Sequence, residues 1–254
     1  MVWRKAWRDT RWRFAILLAV LAAIACFNVF EWLAVQTIAP KLDASGAGQG
    51  GRVASALAEA LAAEQTFRGY IWYEWFSQNF KTCIVLFAAL LGSGSALSTS
   101  GRGLLFSLTL PVSRGRWLAA RAAIGIAEVL ALVLVPSLEI ALLAPAVGEH
   151  YPLADALVHG ALIFVLGGVF FALAMLVSSF VDDFGRSIVL TAVAGVVLAI
   201  AEAALPVGHG LFTGLSGGAY FRDGVLPWLE LIGGAVLTLA LFYAAAARLA
   251  RRDF

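Results

Sequence analysis

Charged residues are scarce in this sequence of 254 residues: Asp, Glu, Lys and Arg together make up 13%, about half of what soluble domains carry. Hydrophobic residues make up 61%, against roughly 45–50% in soluble domains. A single soluble domain of this size cannot bury that excess. The same figures disfavour disorder and a basic nucleic-acid-binding module, so no nucleic-acid partner is expected. The composition predicts an integral membrane protein.

Cysteine and histidine are also rare, with two and three residues respectively. Cys26 and Cys83 lie inside apolar runs, where a cysteine is usually an inert packing residue. His150, His159 and His209 are far apart in the sequence with no cysteine nearby, so the spacing of a zinc site is absent. We therefore expect no metal and no cofactor on this chain.

Six apolar stretches approach the roughly 20 residues that cross a bilayer core. They cover residues 14–36, 82–99, 117–143, 156–179, 187–205 and 225–247. The second stretch is the weakest because Gly92-Ser93-Gly94-Ser95 interrupts it, and five or seven spans are alternatives. A string resembling a signal cleavage site precedes Cys26, but the apolar run continues to Val35, so we expect a retained first span. The expected fold is an all-α bundle of six transmembrane helices.

The basic residues give the expected orientation. Of the 18 Lys and Arg residues, 13 fall on the side that holds both termini and 5 on the other side, which places both termini in the cytoplasm. Segment 1–13 is expected to form an amphipathic interfacial helix, and a positive-inside anchor with belt aromatics is an equal alternative. Its aromatic and basic side chains fall on neighbouring helical faces: Trp3, Trp7 and Phe14 on one, Arg4, Arg8 and Arg11 on the other.

Two segments are expected outside the membrane on the outer side. Residues 37–81 form the larger loop, which starts glycine-rich and ends in the aromatic residues Trp72, Trp75, Phe76 and Phe80 on one helical face. We expect an outer helix that carries these rings as a belt at the membrane–water boundary and enters the second span, with a surface that stacks substrate as the alternative. Residues 206–224 contain several glycines and form either a re-entrant segment that caps a pathway or a plain flexible loop.

The segment 100–116, between the second and third spans, is unusually apolar for a cytoplasmic loop. Pro111 disfavours helical geometry at the residue before it, and Ser113 is a good N-cap for the third span. The segment is therefore expected to lie against the membrane or to dock into a partner, through leucines that an exposed loop would not carry: Leu104, Leu105, Leu108 and Leu110.

The string Ser107-Leu108-Thr109-Leu110-Pro111-Val112-Ser113-Arg114 resembles the one that follows the second span in the ABC-2 family of transporter permeases. Leu176-Val177-Ser178-Ser179-Phe180, followed by a short polar loop and Ser187, is similar to the exit of that family's fourth span. The basic entry helix, the six spans and the large first outer loop extend the resemblance over nearly the whole chain. One departure is Asp182-Asp183, because this loop is more often basic in the family.

The resemblance implies one transmembrane permease domain over residues 1–254, in a bacterial-type inner (plasma) membrane. It implies export of a substrate, a second permease chain as a homodimer or heterodimer, and a separate cytoplasmic ABC ATPase that binds ATP and Mg²⁺. No G-x-x-x-x-G-K-[ST] string occurs in the sequence, so this chain is not expected to be the ATPase or an enzyme. The residues implied to contact the ATPase are Arg102, Leu105, Phe106, Leu108, Leu110, Pro111, Ser113 and Arg114.

Two carboxylates in the third span are further candidates. Glu128 and Glu139 are eleven residues apart, about three helical turns, so both face the same way. They are expected either to line a pathway or partner helix, or to form a structural hydrogen bond at Glu128 with interfacial solvation of Glu139. The cytoplasmic group Asp182, Asp183 and Arg186 is either a solvated turn or a second ATPase contact.

Two other functions fit the sequence less well. One is a non-transport membrane partner of an ABC ATPase, such as an immunity, assembly or sensory subunit. The other is a rhomboid-like intramembrane serine protease, for which Ser93 or Ser95 would be the nucleophile and His159 the base. That reading requires the base within hydrogen-bond reach of the serine.

Overall fold

The computed structural model describes residues 2–44, 65–93, 114–181, 183–204 and 209–251. All regular secondary structure in these ranges is helical, as an all-α fold requires. The elements are α1 (Val2–Ala44), α2 (Phe67–Tyr70), a π-helical segment (Ile71–Phe80), α3 (Lys81–Gly92), α4 (Arg114–Leu143), a 3₁₀ turn (Ala144–Val147), α5 (Leu153–Phe180), α6 (Phe184–Ala204), α7 (Leu211–Ser216), α8 (Gly218–Asp223) and α9 (Trp228–Ala250).

Five helices are long and apolar enough to cross a membrane: α1, α4, α5, α6 and α9. They correspond to five of the six expected spans. The other expected span, 82–99, contains α3, which has 12 residues and ends at Gly92, while residues 94–99 lie outside the described part. Because α2, the π segment and α3 follow one another directly, the chain is helical from Phe67 to Gly92. The fold is that of a multi-pass α-helical membrane protein.

Two expected boundaries need correction. The structure has segment 1–13 and the first span as one helix, α1, and this helix continues past residue 36 to Ala44. Residues 2–38 contain neither Gly nor Pro, so nothing in the sequence stops the helix between the basic segment and the span. The expected outer segment 37–81 is helical up to Ala44, which was not expected, and again from Phe67, where a helix leading into the second span was expected.

Helix α5 forms the centre of the bundle. Of its most apolar stretch, 61% is buried within the protein, compared with 11–39% for the other four long helices, as expected for a helix that is hydrophobic on all sides. It packs against α3, α4, α6 and α9. The α3–α5 crossing depends on Gly92, since a Cβ there would lie 2.5 Å from the carbonyl oxygen of Phe171.

We call the end of the bundle at which α5 begins the outer end, and the end at which α5 finishes the inner end, following the predicted orientation. The aromatic rings of the π segment lie at the outer end, where Trp75, Phe76 and Phe80 are fully buried among other protein side chains. The expectation of a belt facing the membrane–water boundary is therefore wrong for these three rings. Phe76 stacks on His159 of α5 with ring centroids 4.7 Å apart, so packing on α5 takes the place of lipid.

Candidate functional site

The residues implied to contact an ATPase lie outside the described part of the chain, apart from the backbone of Arg114, the first residue of α4. The structure does describe the two helices, α3 and α4, between which segment 100–116 lies. Ser93 directly follows α3, and both α3 and α4 pack on α5. The residues outside the described part are Arg102, Leu105, Phe106, Leu108, Leu110, Pro111 and Ser113.

Glu128 is 2% exposed and joins α4 to α1. The hydroxyl of Thr10 donates a hydrogen bond to Glu128 Oε1, while Arg121, about two turns of α4 nearer the inner end, lies 3.9 Å from Asp9. This geometry agrees with the structural hydrogen bond that was one of the two expectations for Glu128. Glu139 is half-buried, so the two carboxylates differ in environment although their spacing puts them on one side of α4.

Residues 209–224 form a compact outer segment, which we call the cap, rather than a plain loop. Its first helix begins beside the middle of α5, because the rings of Phe212 and Phe170 lie 5.6 Å apart. Its second helix ends near the start of α5, where the hydroxyl of Tyr220 donates to Asp155 Oδ1 at 3.1 Å. The cap thus follows α5 over about 22 Å at 1.5 Å per residue. This path starts at the outer ends of α6 and α9, where Glu202 and Glu230 contact the cap, and runs along the outer half of α5.

Carboxylates of α6 and α9 fix the start of the cap. The backbone N–H groups of Phe212 and Thr213 donate to the two oxygens of Glu202 at 2.9 and 2.7 Å, which satisfies donors that the first turn of α7 leaves free. His209 Nδ1 lies 2.8 Å from Glu230 Oε1. These two carboxylates therefore have a structural partner each and do not point into open solvent.

The far end of the cap rests on an ion pair between α2 and α5. Arg68 Nε lies 2.6 Å from Asp155 Oδ2, and Asp155 is 7% exposed. The Arg68 guanidinium also lies 5.0 Å from the centre of the Phe221 ring, which in turn stacks on Trp72 at 4.3 Å. Arg68, Asp155, Phe221 of the cap and Trp72 of the π segment therefore form one connected group.

His159 lies beneath this group and contacts the turn between α7 and α8. Its Nδ1 is 2.9 Å from the backbone carbonyl oxygen of Asp155; a carbonyl only accepts, so Nδ1 carries the proton. Its Nε2 is buried and has no hydrogen-bond partner among the described residues. The turn approaches closely because it is formed by Gly217, at φ 63°, where a Cβ would lie 2.8 Å from His159 Cδ2.

Two tyrosines at the outer end have shifted acidities. Burial raises the pKa of the Tyr151 phenol, and the neighbouring Asp155 carboxylate raises it further. For Tyr220, partial burial raises the pKa first and the hydrogen bond to Asp155 adds to it. Both causes penalise a phenolate, so these hydroxyls stay neutral and Tyr220 remains a donor to Asp155.

A second polar group lies at the inner end and is uncharged. Ser178 and Ser187 are joined by a 2.8 Å hydrogen bond between their hydroxyls, and Ser187 Oγ lies 3.3 Å from Ser93 Oγ. All three side chains are buried. They connect the last turn of α5 and the first turn of α6 to Ser93, the residue that directly follows α3.

The inner serines also bear on the protease alternative. Ser178 and His159 both belong to α5 and are nineteen residues apart, about 28 Å along a helix. Ser93 contacts the Ser178–Ser187 pair, so His159 is out of hydrogen-bond reach of Ser93. The pairing of these two residues as nucleophile and base is wrong, and Ser95 lies outside the described part of the chain.

The α5–α6 turn brings further helices together. The Arg248 guanidinium of α9 lies 5.1 Å from the Phe180 ring, and that of Arg13 in α1 lies 4.1 Å from the Phe184 ring. Asp183 Oδ1 accepts from the N–H of Arg186 at 2.7 Å and so caps α6. Asp182 lies outside the described part.

Arg68, Asp155 and Tyr220 were not among the candidate residues that the sequence suggested, and His159 was one only as the base of the protease alternative. One signal was available: Asp155 and His159 are ionisable, four residues apart, and stand at the start of an otherwise apolar span. Their partners could not be found in the same way, because Arg68 and Tyr220 come from segments 87 and 65 residues away.

Within the described ranges, no three His, Cys, Asp or Glu side chains are grouped so that they could hold a metal ion. Comparison of the chain with protein-family models, curated proteins and solved structures gives no match. Fold and polar groups together define the class as a multi-pass α-helical membrane protein with a tethered outer cap.

Proposed function

We propose that this chain is the permease subunit of an ATP-binding-cassette exporter of the ABC-2 type, which moves a substrate out of the cytoplasm with energy from a separate ATPase. The observation that carries the proposal is the string Ser107–Arg114, which ends in Leu-Pro-Val-Ser-Arg and lies in an apolar segment that follows the second span. In permeases of this type, the ATPase binds at the segment that connects the second and third spans.

The positions of the flanking helices support a coupling role for segment 100–116. It joins α3 to α4, and both helices pack directly on the central helix α5. A partner that displaces the segment therefore acts on the helix with the most neighbours. The proposed contact residues are Arg102, Leu105, Phe106, Leu108, Leu110, Pro111, Ser113 and Arg114, with ATP and Mg²⁺ held by the partner.

The cap supports a role in transport from the opposite end. It lies against α5 and is tied to α6 and α9 through Glu202 and Glu230. A segment in this place controls access to the outer end of the bundle. We infer that substrate leaves past the cap, and that Glu128, whose Oε1 is occupied by Thr10, stabilises the α1–α4 contact instead of binding substrate.

The surfaces of α6 and α9 leave room for the second permease chain. Only 17% and 11% of their most apolar stretches are buried within this chain, so these helices are covered by lipid or by another protein. The second chain would form a homodimer or heterodimer with this one in a bacterial-type inner membrane. A pathway between the two chains explains why α6 and α9 contribute little to the core of one chain.

The test is capture of the tagged full-length chain from membranes of its native host, followed by mass spectrometry. We expect a P-loop ATPase to co-purify with the unaltered chain. The double variant Phe106→Asp/Leu110→Asp should insert normally and lose the ATPase, because acidic residues replace apolar contacts. The matched control is Leu153→Asp/Val225→Asp, at exposed apolar positions of the outer end, and it should keep the ATPase.

Two results would contradict the proposal. One is recovery of the chain without any ATPase, in a detergent shown to preserve such complexes. The other is equal capture by the inner and outer acidic variants, which would mean that segment 100–116 is not the docking site.

A further inference from the structure

One face of the first turns of α1 carries arginines and points away from the rest of the protein. The opposite face packs on α4 and is buried at Ala6 and Thr10, which are 2% and 3% exposed. At 100° per residue, Arg4, Arg8 and Arg11 fall together on the far side of the helix, and all three are exposed. This arginine face is therefore not used to hold the bundle together.

The arginine face borders a shallow concavity of about 460 Å³. Arg4, Lys5, Arg8 and Arg11 line it together with a single acidic residue, Asp9. Asp9 is the residue that lies 3.9 Å from Arg121 of α4, so its charge is shared. Like charges three and four residues apart destabilise a helix, and an anion bound in the concavity relieves that repulsion.

Tryptophans and small apolar residues surround the arginines. Trp7 and Trp12 flank the arginine face on its two sides and are 43% and 70% exposed; tryptophan prefers the headgroup level of a bilayer. The Arg11 guanidinium lies 5.6 Å from the Trp12 ring. Further along the helix, the same face continues with the exposed residues Ala15 and Ala19, which offer an apolar surface.

We propose that this face binds the phosphate headgroup of an anionic membrane lipid, with Arg4, Arg8 and Arg11 around the phosphate and the acyl chains along Ala15 and Ala19. Charge complementarity selects an anion, and the apolar continuation of the face selects one that carries hydrocarbon. A free phosphate uses only the first of these features, and a neutral lipid only the second. Neither the ATPase nor the transported substrate enters this assignment.

The test uses the purified full-length chain with phosphatidylglycerol and phosphatidylcholine supplied in equal amounts, and native mass spectrometry to count retained lipids. We expect at least a fivefold preference for phosphatidylglycerol in the unaltered chain. The variant Arg4→Gln/Arg8→Gln/Arg11→Gln should lower it below twofold. The variant Arg116→Gln/Arg248→Gln/Arg251→Gln removes the same charge from other exposed arginines predicted to lie on the same side and should keep the preference above threefold.

Three outcomes would overturn the assignment. The first is equal retention of the two lipids by the unaltered chain, and the second is an equal loss of preference in both triple variants. The third is displacement of phosphatidylglycerol by inorganic phosphate at millimolar concentration, which would identify a free-phosphate site. If the variant Arg4→Gln/Arg8→Gln/Arg11→Gln fails to fold, the single variant Arg8→Gln tests the assignment. It should lower the preference for phosphatidylglycerol at least twofold, and an unchanged preference would overturn the assignment.

Discussion

The two ends of α5 are held by different chemistry. At the outer end, the Asp155 carboxylate is 7% exposed and pairs with Arg68 at 2.6 Å. It also accepts a hydrogen bond from the Tyr220 hydroxyl, next to the stacked rings of Trp72 and Phe221. At the inner end, three buried serine hydroxyls form the connection between α3, α5 and α6. The outer end depends on a buried ion pair and ring stacking, whereas the buried polar contacts among α3, α5 and α6 at the inner end are neutral hydrogen bonds.

This difference sets how easily each end can rearrange. A buried charge that loses its partner costs several kcal/mol, whereas a neutral hydrogen bond contributes only about 0.5–1.5 kcal/mol. The outer end is therefore built to keep the cap in one position, while the inner end can change its contacts at low cost. The inner end is also where segment 100–116 is attached, which fits the coupling role proposed for that segment.

The largest expected effect comes from Asp155→Ala at the outer end. It leaves Arg68 and Tyr220 without their acceptor, and we expect a loss of about 2–3 kcal/mol in the free energy of unfolding, moderated because Arg68 is partly exposed. Equilibrium unfolding in mixed micelles measures it. Asp183→Ala at the inner end removes only a helix cap and should cost about 1 kcal/mol. Equal losses would contradict the comparison.

The next largest effect is expected for Gly217→Ala, in the turn that contacts His159. The substitution forces alanine into φ 63° and places its Cβ against the imidazole, so we expect a loss of about 2 kcal/mol. Gly224→Ala is the matched control, because φ is 67° there and nothing lies within 4 Å of the added Cβ. It should cost about 1 kcal/mol; similar losses for both would mean that His159 does not hold the cap.

At the inner end, Ser187→Ala removes the link between Ser178 and Ser93. We expect a loss of about 1 kcal/mol, because the bonds are neutral and the remaining hydroxyls can pair with each other or with the helix backbone. Ser137→Ala is the control, since that buried serine bonds only the carbonyl oxygen of Val133 in its own helix, at 2.8 Å. A loss at Ser187 as large as that of Asp155→Ala would remove the distinction between the two ends.

The smallest effect concerns pH. Since the pKa of Tyr151 is raised in the folded state, folded and unfolded chains are both neutral at this residue below about pH 10, and only the unfolded chain ionises above it. Stability should therefore fall as the pH rises from about 10. Tyr151→Phe should flatten this slope without loss at pH 8, because the buried hydroxyl has no partner among the described residues.

The long helices could be predicted from the sequence, because apolar runs of about 20 residues have few other uses. Five of the six expected spans correspond to long helices, and the start of the first is displaced because no Gly or Pro separates it from the basic segment before it. Hydropathy could not show that Trp75 and Phe76 are buried within the protein instead of facing lipid. An aromatic ring is equally apolar in both places.

The polar groups at the two ends were harder to foresee. Glu128 stands out in its span, but its partner Thr10 is 118 residues away, and nothing local connects them. The cap posed the same difficulty, because its glycines are compatible with a flexible loop. Only the positions of Glu202, Glu230 and Asp155 on three other helices give it a fixed place.

The most direct test of the account places a photo-crosslinking amino acid at Phe106 in one variant and at Leu153, exposed at the outer end, in another. Both are irradiated in native-host membranes. The account predicts a crosslink from position 106 to a cytoplasmic P-loop ATPase and none from position 153. Absence of an ATPase adduct at position 106, with efficient crosslinking to lipid or other proteins there, would contradict it.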